Sequence, residues 1–231
     1  MTNSRFPANR TPEIGAIFPR DRNWHPPALT PAYKTSVLRS PRRPLLSLDN
    51  TLSELTGPVF GHSILGELDN DLIHNFAGPG ESAIGPRILV YGRLLDERGI
   101  GIAGALLEVW QANAGGRYRH KKETYLAPLD PNFGGCGRTI TGEDGSYCFR
   151  TIQPGGHGFA QRLITQMYFE GDPMIWRCPI VRTINDRRAI EGLTAALDME
   201  ATIPMDARAY KFDIVLRGRR STLFENRIEG N

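Results

Sequence analysis

Nine of the 17 prolines of this chain fall within its first 58 residues. Proline fixes φ and removes a backbone donor, so such a stretch builds no long helix and supplies no central strand. Residues 1–58 are therefore expected to run as an extended N-terminal arm over a surface. The arm also carries Phe6, Phe18, Trp24 and Tyr33, which a purely disordered tail usually lacks. It is expected to become ordered by docking, for instance on another subunit. Residues 59–231 then make the folded domain.

From Arg87 onward the pattern is that of strands. Residues 87–95 (RILVYGRLL) are rich in β-formers and end at Asp96-Glu97-Arg98-Gly99, a turn signal. Residues 105–111 (ALLEVWQ) follow at hairpin distance. Residues 146–152 (SYCFRTI) alternate behind an Asp144-Gly145 turn, and 162–169 (RLITQMYF) read as another strand. Residues 210–217 (YKFDIVLR) place Tyr210, Phe212, Ile214 and Leu216 on one face. One segment, 186–197, has helical spacing with Asp186 as its N-cap. Strands at regular spacing with turns between them predict an all-β fold, an antiparallel β-sandwich with few short helices.

Bulk properties exclude several function classes. Of the 231 residues, 40% are apolar and 23% charged, the balance of a soluble globular protein. A net charge of +3 is too small for a nucleic-acid binder, which needs a concentrated basic face. Cys136, Cys148 and Cys178 are odd in number and none are spaced as CxxC, which argues against a disulfide framework or a zinc site. A reducing, cytoplasmic location is expected. The N-terminus has no apolar core of a signal peptide. No apolar run nears the roughly 20 residues that span a bilayer, so no membrane partner is expected.

Chemistry points to residues 108–138, EVWQANAGGRYRHKKETYLAPLDPNFGGCGR, with five glycines and Tyr118 between Arg117 and Arg119. Two flanking cations favour ionisation of a phenol, and a tyrosinate is a hard ligand suited to Fe(III). A tyrosine among arginines is usually just a surface residue, so spacing alone does not single it out. Asp69, Asp71 and His74 lie in a segment read as surface loop or short helix. The five histidines form no HxH or HxxxH pair, and His157 sits in a glycine turn, PGGHG.

Five blocks go further: DRNWHPPALTPAYKTS (21–36), the 108–138 run, DGSYCFRTIQPG (144–155), QRLITQMYFEGDP (161–173) and YKFDIVLRGRRSTLFEN (210–226). Together they resemble the intradiol ring-cleavage dioxygenase family, in the branch of its protocatechuate-cleaving β chains. The blocks stand in the family's order and cover most of the chain, and GGRYRHK with YLAPLDPNFGG is specific to that branch. The resemblance implies a β-sandwich paired with a homologous α chain in a hetero-oligomer. It implies a non-haem Fe(III) held by two tyrosines and two histidines, acting on a catechol substrate and O2. Carried over residue by residue, Tyr118 matches a tyrosine ligand and Tyr33 a contact to the substrate carboxylate. Gln166 and Ile180 match residues lining the pocket, and Trp110 would wall the same region.

One departure is large. After FRTI-x-PG the family continues through a Tyr-x-Trp-Arg loop into a strand bearing Trp-Arg-Pro-x-His-x-His. Here Gln153-Pro154-Gly155 passes directly into Gly156-His157-Gly158-Phe159-Ala160, which already resembles the region beyond that strand. Roughly twenty residues are missing, the length of one loop and one strand. The second tyrosine, both histidines and a supporting arginine fall in that gap. Neither His157 nor Tyr147 aligns with a ligand. Three readings follow: a β chain whose working form carries the segment that this sequence lacks, a non-catalytic structural subunit, or a sugar- or peptide-binding β-sandwich. The last predicts an exposed aromatic row on one sheet face.

Overall fold

The structure is a computed structural model. It describes residues 64–121, 123, 126–155, 165–216 and 222, together with two short strands in the arm. These two, β1 (Ile17–Pro19) and β2 (Leu46–Leu48), pair antiparallel with each other. Of the proposed site residues, Tyr33 lies outside the described residues, as does His157.

The organising strand is β3 (Arg87–Leu95), whose side chains alternate between buried and half-buried along its whole length. That alternation follows from the period of two of an extended chain. Along one edge β3 pairs antiparallel with β6 (Ser146–Ile152), from Arg87 opposite Ile152 to Arg93 opposite Ser146. Along the other edge lie β9 (Ala207–Lys211) and β10 (Ile214–Val215), both parallel to it. The sheet continues outward through β8 (Thr194–Ile203), antiparallel to β9, to the two-residue β7 (Tyr168–Phe169), parallel to β8. A separate hairpin-like pair, β4 (Leu106–Trp110) and β5 (Cys136–Ile140), is antiparallel.

One buried cluster joins the two sheets: Ile88, Val90 and Leu94 of β3, Leu107 and Val109 of β4, Phe149 of β6 and Tyr210 of β9. A smaller cluster sits below β7. It is built from two short 3₁₀ turns (Ile175–Arg177 and Val181–Thr183) and α1 (Arg187–Gly192), and it includes Tyr168, Cys178, Val181 and Leu193. Tyr168 and Phe169 are consecutive in a strand, so they face opposite sides. Tyr168 enters the smaller cluster and Phe169 the main one. The strand β7 thereby ties the two together.

The all-β expectation holds, with few short helices, and the pairing differs in detail. Three of the strand pairs are parallel where an antiparallel arrangement was expected. The helix expected over 186–197 ends at Gly192. Asp186 does cap it, accepting from the Arg188 N–H, but Thr194 to Leu197 pair with β7 and β9 instead. Sheet pairing outweighs the modest helix preference of a Thr-Ala-Ala-Leu run. The strand expected over 162–169 survives among described residues only as Tyr168–Phe169.

The strand expected over 210–217 is broken at Phe212 and Asp213. There the Phe212 carbonyl accepts from the Tyr147 hydroxyl, and the Asp213 carboxylate accepts from the Arg93 N–H at 2.9 Å. A Cβ on Gly92 would come 2.1 Å from the Phe212 oxygen, so only glycine admits this approach. The segment expected as surface loop or short helix, 64–76, is built of turns and anchored: Leu72 and Ile73 are fully buried in the main core.

Candidate active site

The loop after β4 carries Tyr118, and it is shaped by two buried amides. Gln111 is wholly buried. Its Nε2 donates to the Ile152 carbonyl at 2.9 Å, and its Oε1 accepts from the Thr151 hydroxyl at 2.8 Å. That fastens the end of β4 to the end of β6. Asn113 is buried too and uses all its polar groups. Its Oδ1 accepts from the N–H groups of Gly115 and Arg117, both at 3.0 Å, and its Nδ2 donates to the Pro128 carbonyl at 2.9 Å. Its own N–H donates to the Arg117 carbonyl, and its carbonyl accepts from Gly116 and from Gly155. Buried polar groups are costly unless satisfied, and these are.

Tyr118 leaves this loop half-buried, its ring 4.6 Å from that of Trp110 and tilted by 46°. Tyr168 of β7, buried in the smaller cluster, is near enough for the two phenols to interact electrostatically. Burial above all, then the Cys178 thiol and the Tyr118 phenol nearby, hold the Tyr168 hydroxyl well above the ordinary tyrosine range. That hydroxyl donates to Gln166 Oε1 at 2.6 Å. Ile180 packs against the same small cluster as Tyr168 and Cys178. Tyr168, which sequence reasoning passed over, thus bonds Gln166, lies near Tyr118 and shares its cluster with Ile180, while Trp110 packs on Tyr118. Its signal was available: Tyr168 stands two residues beyond Gln166, on the same face of an extended run.

The flanking arginines bond to the segment that follows. Arg117 donates to the Ala127 carbonyl at 2.9 Å. Arg119 donates to the carbonyls of Phe133 and Asp130 and lies 4.5 Å over the Phe76 ring. They hold the 126–133 segment in place, while Tyr118 packs on Trp110. Tyr147, upstream of the gap, is a core residue. Its hydroxyl is spent on Phe212, and burial foremost, with the Asp213 charge behind it, pushes its ionisation far up. The Asp69, Asp71 and His74 group is also structural. Asp71 holds His74 at 2.9 Å and Arg150 at 3.2 Å, and Asp69 holds Arg138 at 2.9 Å. All three cysteines are free.

Sequence comparison places the chain in a family. The Dioxygenase family profile matches it in two pieces, residues 55–161 and 156–218. The profile of the protocatechuate 3,4-dioxygenase beta subunit N-terminal region matches residues 18–51. The chain belongs to the intradiol dioxygenase family. It is 42% identical to the protocatechuate 3,4-dioxygenase beta chain of Burkholderia cepacia, over 90% of this chain and 97% of that one. It is 28% identical to the corresponding alpha chain of Pseudomonas putida, over 78% of this chain and 98% of that one. Among solved structures it is similar to the dioxygenase domain of a carbohydrate-binding fusion protein from Streptomyces sp. SirexAA-E. The identity is 26% and the TM-score 0.44, over 64% of this chain and 86% of that one.

The comparison also locates the departure. The two pieces of the family match meet at residues 156–161, where the family pattern breaks. The alignment with the Burkholderia chain is 230 positions long, while 90% of 231 residues is about 208, leaving about 22 positions with no residue of this chain opposite them.

The family implies non-haem iron, and the described side chains do not fit that ion as a resident group. Tyr118 supplies one phenol, its ring packed on that of Trp110. Among the described residues, no group of three or more His, Cys, Asp or Glu side chains comes together. A single phenolate does not hold Fe(III) against water. No helix among the described residues is long and apolar enough to cross a membrane. Their exposed aromatics, Phe76 and Trp176, lie outside the strands, so they form no aromatic row of the kind a sugar-binding sheet needs.

Proposed function

We propose that the protein is the β subunit of a cytoplasmic hetero-oligomer formed with a homologous α chain. The assembly cleaves protocatechuate with O2 to 3-carboxy-cis,cis-muconate at a non-haem Fe(III). The observation that carries this reading is the convergence of Trp110, Tyr118, Tyr168 and Gln166 at the ends of β4 and β7, in a chain so similar to a protocatechuate 3,4-dioxygenase beta chain.

In this reading Tyr118 is a ligand that waits for others. The second tyrosine and the histidine pair belong to an internal segment that the working subunit carries after Gly155 and that this sequence lacks. The residues present form the wall of the pocket. Trp110 shields one side of the Tyr118 phenol from water. Because Tyr168 occupies Gln166 Oε1, the Gln166 amide nitrogen is the end left to donate toward a bound ring. Ile180 closes the apolar side, and Tyr33 meets the substrate carboxylate.

A second reading is favoured by the donor set itself. A chain of this length with one phenolate ligand serves as an iron-free structural subunit of the same assembly. Intact-mass measurement and oxygen uptake on the native complex separate the two. A subunit heavier than 25.7 kDa by about twenty residues, with oxygen consumed on protocatechuate, supports the dioxygenase reading. A subunit of 25.7 kDa in a complex that consumes no oxygen leaves the structural one.

A further inference from the structure

We propose that Asn113 is the positioning residue for Tyr118, and that through Gly155 it makes the place of that phenol depend on the end of β6. The proposal deepens the dioxygenase reading but rests on contacts that exist without any metal. Asn113 Oδ1 binds the N–H of Arg117, the residue next to Tyr118, and that of Gly115, at 3.0 Å each. Its main chain exchanges a second bond with Arg117, Asn113 N–H to Arg117 carbonyl at 2.9 Å. Its Nδ2 ties the loop to Pro128. Four residues before the phenol are thus closed into a ring by one side chain.

The same residue reaches the neighbouring strand. The Gly155 N–H donates to the Asn113 carbonyl at 3.1 Å. A Cβ at Gly155 would stand 2.4 Å from the Ala114 carbonyl oxygen and 2.7 Å from the Gly116 nitrogen. Both are backbone atoms and cannot rotate away, so the loop itself would have to move. Gly155 is also the last described residue before the point where the family match breaks. Whatever follows β6 in the working subunit therefore pulls on the Tyr118 loop directly.

The test uses the full chain labelled with fluorotyrosine, with Tyr118→Phe identifying the Tyr118 fluorine resonance among the seven tyrosines. Asn113→Ala is expected to move that resonance. Asn113→Asp keeps the Oδ1 acceptor for Gly115 and Arg117 but sets a charged oxygen against the Pro128 carbonyl, and is expected to return it part of the way toward the parent position. Thr141→Ala removes bonds to Ala105 and Ile102 at the far end of β4 and is expected to leave it in place. Should Asn113→Ala fail to fold, Gly155→Ala takes its role, and the resonance must move there too.

An unmoved Tyr118 resonance in Asn113→Ala or Gly155→Ala overturns the proposal, and so does an equal shift in Thr141→Ala. In the active complex, misplacement by about an ångström is expected to lower kcat about a hundredfold with KM little changed. If the parent complex takes up no oxygen, the dioxygenase reading fails, while the resonance still decides the role of Asn113.

Discussion

At the scale of single residues, the chemistry of this fold is carried by a few buried or half-buried hydroxyls and amides. Tyr91 on β3 donates to Asp198 on β8. The bond pushes the Tyr91 phenol up to about 12, with burial and the Asp198 and Asp213 charges adding to it. The same bond foremost, with the Ala201 and Glu200 N–H groups, holds the Asp198 carboxyl below its ordinary range. A phenol raised in the folded state contributes stability that is complete below its ordinary value of 10 and fades as pH climbs through about 12. A carboxyl lowered in the folded state contributes above its ordinary value of 3.8 and fades as pH falls through its depressed value. Urea midpoints followed from acid to alkaline pH are therefore expected to show both limbs. In Tyr91→Phe the alkaline decline between 10 and 12 should flatten; an unchanged alkaline limb would refute the assignment. Tyr147→Phe removes the buried donor to the Phe212 carbonyl and is expected to cost about 1–2 kcal/mol in urea unfolding. The site residues were legible only through family resemblance: Trp110, Gln166 and Ile180 carry no distinguishing pattern of their own. Tyr168 was legible from its place two residues beyond Gln166, whereas the reach of Asn113 to Pro128 and Gly155 depends on segments that no local spacing brings together.

At the scale of elements, β-former content and turn signals identified β3, hairpin distance identified β4 and alternation identified β6, and the burial along each strand follows the period of two. The misread elements are those in which tertiary pairing overrides local preference. Thr194 to Leu197 have helical spacing yet extend into β8, because β7 and β9 offer ladder partners on both sides. The break at Phe212 depends on Gly92, a residue more than a hundred positions earlier, and could not be read from 210–217 alone. Gly92→Ala is accordingly expected to destabilise by at least about 2 kcal/mol, since the clash is with a main-chain oxygen. What sequence reading did fix correctly in α1 is its start: Asp186 accepts from the Arg188 N–H at 2.9 Å. Asp186→Ala is expected to cost about 1 kcal/mol. It should loosen the small cluster under Tyr168 before the main sheet, seen as earlier amide exchange at Ala189 and Ile190 than at Val90.

At the scale of the whole molecule, the chain belongs to the intradiol dioxygenase family and holds Trp110 against Tyr118, and Tyr168 against Gln166, at the ends of β4 and β7. The match to the family breaks after β6, at residues 156–161. The elements β4 and β7 are held by contacts among residues present in the chain: Gln111 to Ile152, Asn113 to Gly155, Tyr168 to Gln166. In the dioxygenase reading proposed above, the fold therefore stands without the further ligands. The most direct test is the visible spectrum of two forms of the chain, each co-expressed with its α partner and supplied with iron, before and after anaerobic addition of protocatechuate. One form has the present sequence. The other carries, after Gly155, the segment with the second tyrosine and the His-x-His pair from the Burkholderia cepacia beta chain. The expected result is a colourless first form and a second form with a tyrosinate-to-Fe(III) band that shifts when substrate is added and disappears in Tyr118→Phe. A band in the first form, or none in the second, would contradict the assignment of Tyr118 as a ligand awaiting the missing segment.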